Sequence, residues 1–342
     1  MEKIKKLKKI LKREKIDGYI IPKNDEFFGE YVPDYNDRLN FISNFSGSYG
    51  LALILKNKNY LFVDGRYTLQ ANDQSKKNFK VITIPDKMPS DILKKKKLLI
   101  GFDPNLFTKK SLSIFFGKNK CEYKPLPKNL IDEIWKRKMK KNENKFFVLP
   151  AGSVGEKHQS KINKITNYLK RRKSDFIFIT ASENNAWLLN IRGRDTEYTP
   201  IPSSYILISK NKNIKFFCDL KKLSSTFRSH FDKVEFLDIK ICSKILSKIK
   251  KDKFIIDKNS CSYFFESIIR KNNKILNFQD PIYFLKAIKG RQEIENIKKA
   301  HIFDGAALTK YLFWLKKNFD KKKITEISAS QKLFNFRKKN KK

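Results

Sequence analysis

Ile4, Leu7, Ile10 and Leu11 stand at helical spacing among lysines and predict an amphipathic helix over 3–14. Asp17-Gly18-Tyr19-Ile20-Ile21-Pro22 follows directly and predicts a buried strand. The helix is therefore expected to lay one face on a sheet rather than to lie on a membrane surface. Residues 50–56 and 60–64 are short apolar runs on either side of Asn57-Lys58-Asn59, a hairpin pattern. Residues 79–85 and 97–103 predict two further strands, with helices at 67–75, 88–96 and 108–117 and an apolar close at 127–137. The polar stretch 137–145 reads as a linker.

The same order then repeats. A charged helix over 156–172 precedes a strand at 174–180. A hairpin at 204–209 and 214–219 turns around Lys210-Asn211-Lys212-Asn213, and strands at 233–238 and 253–257 flank a helix at 240–250. The tails read alike: Ile100-Gly101-Phe102-Asp103 leads into 111–116 and the close 130–135, as Ile255-Ile256-Asp257 leads into 264–269 and the close 281–285. Beyond 286 no strand is expected. One long helix over 291–317 carries Ile294, Ile297, His301, Leu308, Leu312 and Leu315 near one stripe, interrupted mildly by Gly305, and another helix follows Thr325. The reading is α/β, with two tandem domains of similar fold at 1–147 and 148–285 and a helical piece at 286–342. That last piece is too small to bury its own stripe and must dock on something.

The chain has 342 residues, 40% hydrophobic and 13% aromatic, enough for packed cores. Lys+Arg is 76 against 35 Asp+Glu, a net charge of +41. Only 12 of the basic residues are Arg, and Lys, Asn, Ile and Phe are abundant together. Their codons are rich in A and T, so base composition accounts for the excess. The lysines are spread, with short runs at 5–9, 94–97, 140–141 and 321–323 and no aromatic-basic stacking motif, so nucleic acid is not the expected partner. Cys121, Cys218, Cys242 and Cys261 form no CxxC, and His158, His230 and His301 are scattered, which argues against a zinc site and for a reducing compartment. With no apolar signal region and no membrane-spanning run, a cytoplasmic protein without membrane association is expected.

Four segments carry identity. The first is Asn24-Asp25-Glu26-Phe27-Phe28-Gly29-Glu30-Tyr31-Val32-Pro33, running on to Asp37-Arg38-Leu39 and Phe45-Ser46-Gly47-Ser48-Tyr49-Gly50. The second is Val63-Asp64-Gly65-Arg66-Tyr67-Thr68-Leu69-Gln70. The third is Asn185-Ala186-Trp187-Leu188-Leu189-Asn190-Ile191-Arg192-Gly193, then Tyr198-Thr199-Pro200. The fourth is Lys286-Ala287-Ile288-Lys289, Ala300-His301-Ile302-Phe303-Asp304-Gly305-Ala306-Ala307-Leu308 and Ile324-Thr325-Glu326-Ile327-Ser328-Ala329. In this order they resemble the Xaa-Pro aminopeptidases (aminopeptidase P) of the peptidase M24, or creatinase, superfamily, over essentially the whole chain.

The resemblance implies two creatinase-like N-terminal domains ahead of a pita-bread catalytic domain. It implies two divalent metals, commonly manganese, on two Asp, one His and two Glu, whose bridged water attacks the bond before proline. It also implies a homodimer. Those ligands lie well downstream of the Thr-Glu-Ile-Ser motif, whereas seventeen residues follow Thr325 here. The chain is therefore expected to be truncated, to hold no catalytic residue, no metal and no cofactor, and to be inactive alone. A separate C-terminal catalytic half is the expected partner, peptide substrate being handled only with it. His301 reads as a helix-packing residue rather than a ligand. The family's usual His-Gln pair is Phe27-Phe28 here. Glu30 matches a family glutamate near the catalytic cleft and would pair with a peptide's α-amino group, or else be a solvated carboxylate or a partner for Arg38. Arg66 is the other substrate-binding candidate, its alternative being a salt bridge fixing the Asp64-Gly65 turn. Arg38 shares that ambiguity, Trp187 is expected in the core, and Arg192 would cap or bridge domains. The rival reading is a non-catalytic creatinase-fold scaffold whose basic surface binds acidic partners.

Overall fold

The computed structural model describes residues 2–117, 119–137, 142–196, 198–321 and 323–339. They divide into two units, Met1–Val148 with His158–Phe284, and Leu149–Lys157 with Leu285–Lys342. Part of the linker expected at 137–145, with its lysine run at 140–141, lies outside the described residues.

In the first unit, α1 (Glu2–Arg13) buries Ile4, Leu7, Ile10 and Leu11, and β1 (Gly18–Pro22) is buried at every position. Then come α2 (Arg38–Ser43), the hairpin β2 (Gly50–Leu55) and β3 (Asn59–Asp64), α3 (Thr68–Ser75), β4 (Lys80–Ile84), α4 (Pro89–Leu93), β5 (Leu99–Phe102), α5 (Lys109–Phe116), β6 (Glu122–Pro125) and α6 (Leu130–Ile134). The strands form one sheet in the order β4-β3-β2-β1-β5-β6. Its pairs β1–β2 and β2–β3 are antiparallel and the rest parallel. Helices cover both faces, so β1 and β2 read as unbroken apolar runs without alternation.

After β7 (Phe147–Val148) the plan is repeated by α7 (His158–Arg171), β8 (Phe176–Ile179), α8 (Ser182–Leu189), β9 (Ile191–Arg192), β10 (Tyr205–Ser209), β11 (Ile214–Cys218), α9 (Ser225–Ser229), β12 (Val234–Asp238), α10 (Cys242–Lys248), β13 (Lys253–Ile256), α11 (Tyr263–Asn272), β14 (Lys274–Asn277) and α12 (Pro281–Ala287). The second sheet runs β12-β11-β10-β8-β13-β14, the topology of the first, while β7 and β9 pair separately.

The repetition reaches single side chains. Asp17 accepts from the Leu99 amide (2.9 Å) and from Lys56 Nζ (2.6 Å); Asp175 accepts from the Lys253 amide (2.9 Å) and Lys210 Nζ (2.7 Å). Both carboxyls are held below the usual range, first by the lysine hydrogen bond. Asp103 accepts from the amide and Nδ2 of Asn105, and Asp257 does the same with Asn259. The second oxygen of each reaches the residue capping the closing helix, Asn129 before α6 and Asp280 before α12. Asn44 and Asn190 end α2 and α8 in the left-handed conformation that asparagine tolerates.

The sequence order lacks the sixth strand of each sheet. β6 and β14 are four-residue edge strands exposed at both ends. With one neighbour and little burial they need no apolar periodicity, the feature by which strands are recognised. Trp187 is half-buried rather than a simple core residue: Lys161 Nζ lies 3.9 Å over its ring and donates to its carbonyl (2.8 Å). Arg192 donates within its own segment, to the carbonyls of Ile191 (2.9 Å) and Ala186 (3.4 Å). Lys222 and Asp195 make a buried ion pair.

In the second unit, α13 (Arg291–Asn318) is one unbroken helix of 28 residues and α14 (Glu326–Lys339) packs on it, with Arg337 paired to both oxygens of Asp304 (2.6 and 3.1 Å). The Glu293 carboxylate accepts from the Gly290 amide (2.7 Å) and closes the N-terminus of α13. Asn296 Nδ2 donates to the Gly152 carbonyl (2.9 Å), tying residues 149–157 to this helix. Ile294, Ile297, Leu308 and Leu312 of the expected stripe are exposed, as are Ile302, Phe303, Phe313, Phe319, Ile327 and Phe334. His301, expected to pack, is exposed too, although Asp304 one turn further on is held by Arg337 of α14.

Candidate functional site

The segment 24–33 leaves the carboxyl end of β1 and is fixed along its length. Asn24 Nδ2 donates to the Leu106 carbonyl (2.9 Å). Asp25 is buried and accepts from the Phe27 amide (3.0 Å) and, more weakly, from Asn36 Nδ2 (3.4 Å). Burial, with Glu26's charge beside it, pushes its carboxyl up to about 6. The Glu26 carbonyl accepts from the Tyr205 hydroxyl of the second sheet (2.9 Å), and the Phe27 and Tyr205 rings stack at 5.3 Å. That phenol is buried, which with the nearby carboxylates raises it well above its usual value. Phe28 is held at φ 54°, a left-handed conformation unusual for a bulky side chain. Such strain persists only where the surroundings dictate it, and it clusters at functional sites.

Glu30 follows two residues later and is exposed. It lines two cavities. One, of about 380 Å³, is also lined by Arg66, Phe28, Tyr49, Leu51, Phe107 and Phe115. The other, of about 390 Å³, has the carboxyl groups of Asp25, Glu30 and Glu183 in its lining and no Lys, Arg or His, in a chain of net charge +41. Arg66 therefore shares a cavity with Glu30. Its guanidinium pairs with Asp64 (2.7 Å), whose carboxyl accepts from the Arg66 amide and is held low, chiefly by the arginine's hydrogen bonds.

Arg38 lines a third cavity of about 390 Å³ with Glu26, Asp132, Lys240 and Tyr205. Its guanidinium holds Asp132 through two bonds, of 2.9 and 3.0 Å. Burial works against the charge, but Asp132 and then Glu26 outweigh it, so Arg38 stays above its ordinary value. Arg137 adds a 2.6 Å bond to Asp132, whose carboxyl is held low against its burial by the two arginines. Arg38 Nη1 and Glu26 Oε2 face each other at 3.7 Å, both buried and neither hydrogen-bonded. Among the described residues it is Glu26, not Glu30, that faces Arg38.

Glu26, Asp25 and Asp132 were not singled out in the sequence. Asp132 stands 94 residues from Arg38, and no local pattern marks that pairing. Among the described residues no group of three or more His, Cys, Asp or Glu side chains is arranged to hold a metal ion.

Residues 3–126 and 137–293 each match the family described as the creatinase/prolidase N-terminal domain. The chain is 32% identical, over an alignment of 355 residues, to a probable Xaa-Pro aminopeptidase P of Laccaria bicolor, with 98% of this chain and 55% of the relative covered. It is 29% identical to Xaa-Pro aminopeptidase 1 of Dictyostelium discoideum, with 98% and 57% covered. The crystal structure of an X-prolyl aminopeptidase from Caenorhabditis elegans, a cytosolic enzyme with a di-nuclear active site, matches with a TM-score of 0.90 at 28% identity, over 98% of this chain and 59% of that one. The chain thus spans little more than half the length of these relatives.

Proposed function

The chain belongs to the creatinase/prolidase family, on its Xaa-Pro aminopeptidase branch, and on that premise we propose that it forms the substrate-recognising, non-metal part of a metal-dependent Xaa-Pro aminopeptidase. The observation that carries this reading is Glu30: an exposed carboxylate on the wall of two adjoining cavities, on a segment that hydrogen bonds and ring stacking hold in place. A fixed carboxylate at a cavity mouth pairs with a peptide's α-ammonium by a charge-assisted hydrogen bond, which selects free N-termini over internal bonds. Arg66, which lines one of these cavities with Glu30, is the second contact to the peptide.

The ligands for two divalent metals, manganese by preference, lie outside these 342 residues, whether on a longer chain or a separate one. α13 and α14 are the opening helices of the catalytic domain, and the rest of that domain covers their apolar faces. Within the same proposal, the enzyme acts in the cytoplasm. Among the described residues no helix is long and apolar enough to cross a membrane, and the four cysteines are free.

The test is release of the N-terminal residue from an X-Pro peptide with manganese present. The purified 342-residue chain is expected to release none, and to release it once combined with a polypeptide carrying the metal ligands. Metal-dependent cleavage by the 342 residues alone would overturn the assignment. In the restored enzyme, Glu30→Gln is expected to lower kcat/KM by about ten- to a hundredfold, the worth of one hydrogen bond to a charged group.

A further inference from the structure

The 380 Å³ cavity beside Glu30 is walled mainly by apolar side chains and sits at one end of the first sheet. Pro22 ends β1, Arg66 follows β3, Ile84 ends β4, and Phe107 and Phe115 follow β5. These are carboxyl ends of strands, where open α/β sheets place their ligand crevices. The volume lies within the range of small-molecule pockets, about 300–1,000 Å³. Phe28, Tyr49, Leu51, Phe107 and Phe115 line it, and Leu51 and Phe107 are almost fully buried, so that part of the wall is preformed. Phe28 joins the wall from its left-handed backbone position. Its charged lining includes Glu30 and Arg66, the two residues already assigned to the peptide.

We propose that this cavity receives the side chain of a peptide's N-terminal residue and selects large apolar ones, aromatic or leucine-like, while Glu30 holds the adjoining α-ammonium. The inference rests on the reading of Glu30 given above. An N-terminal glycine leaves the aromatic wall solvated, whereas phenylalanine removes apolar surface on both sides from water, and dipeptides differing only there are expected to differ about ten- to a hundredfold in affinity.

The experiment uses the 342-residue chain and direct binding, by calorimetry or NMR titration, of Phe-Pro and Gly-Pro. Phe-Pro is expected to bind the tighter of the two by that factor. Tyr49→Ala, at a half-exposed position, is expected to weaken Phe-Pro several-fold and to leave Gly-Pro unchanged, with an unaltered urea midpoint showing that the fold is intact. Glu30→Gln is expected to weaken both dipeptides equally. Equal affinities for the two dipeptides, both lowered by Glu30→Gln, would overturn the side-chain pocket and leave the Glu30 reading standing. Failure of both dipeptides to bind would overturn both.

Discussion

Arg38 and Asp280 show two ways in which a buried charge shapes stability. Arg38 uses two of its nitrogens on Asp132 and leaves a third facing Glu26 at 3.7 Å without a hydrogen bond. Without Arg38, Glu26 loses its facing charge while Asp132 keeps Arg137, and both carboxylates are partly solvated, so Arg38→Ala is expected to cost about 1–3 kcal/mol by urea unfolding. Arg38→Lys should recover little of it, because an ammonium cannot reproduce the fork that grips both Asp132 oxygens. Asp280 works the other way. Its oxygens accept from Asn184 Nδ2 (2.7 Å) and the Ile282 amide (2.9 Å), yet burial pushes its carboxyl up to about 6 from an ordinary 3.8. The folded chain therefore binds a proton there that the unfolded chain does not, between pH 4 and 6. The contribution is fully present below pH 4 and is lost as pH rises through 6, and Asp25 acts in the same direction. A shift of this size corresponds to about 2–3 kcal/mol. Asp280→Asn, whose side chain still caps α12, is expected to flatten the stability–pH curve between 4 and 6. An unchanged slope would show that Asp280 titrates normally in the folded state.

Elements were legible from the sequence where burial imposes a pattern. α1 shows its four buried residues at helical spacing, and the central hairpins stand out as apolar runs around lysine-asparagine turns. The duplication was legible too, since the paired motifs at Asp103 and Asp257 perform the same task in each sheet. The edge strands β6 and β14 were not, because exposure frees them from any pattern. The site divides along the same line. Glu30 and Arg66 are candidates that the sequence offers through segments resembling the family's, whereas the Glu26–Arg38–Asp132 cluster is assembled from separate positions that only the fold brings together. In α13, Gly305 was expected to weaken the helix, yet the helix passes through it unbroken. A Cβ there would meet nothing within 4 Å. Gly305→Ala is therefore expected to stabilise α13 by about 0.5–1 kcal/mol, read as slower amide exchange along the helix. Faster exchange would mean that the glycine is needed for a conformation other than the helical one.

At the scale of the whole chain, two long-range tendencies oppose each other. A net charge of +41 on 342 residues means that most lysines see like charge, while the described ion pairs on the surface are mostly single and exposed. Such pairs contribute little, about 0–1 kcal/mol each, so self-repulsion should dominate and destabilise the folded state. Added sodium chloride is expected to raise the unfolding midpoint, with most of the gain reached by about 0.15 M, where the screening length falls to about 8 Å. The same repulsion keeps copies apart, although Ile302 and Phe313 expose most of their surface on α13, at 70% each. Screening removes the repulsion and leaves the apolar face, whose attraction does not depend on charge. Self-association, followed by light scattering, should therefore rise over the salt range in which the fold is stabilised. The double variant Ile302→Glu with Phe313→Glu separates the two effects. It is expected to abolish the salt-induced association and to keep the salt-induced rise in the unfolding midpoint, because the charges behind that rise are spread over the whole chain. If the variant still associates, the sticking surface lies elsewhere, and α13 is not the face that a covering polypeptide must occupy.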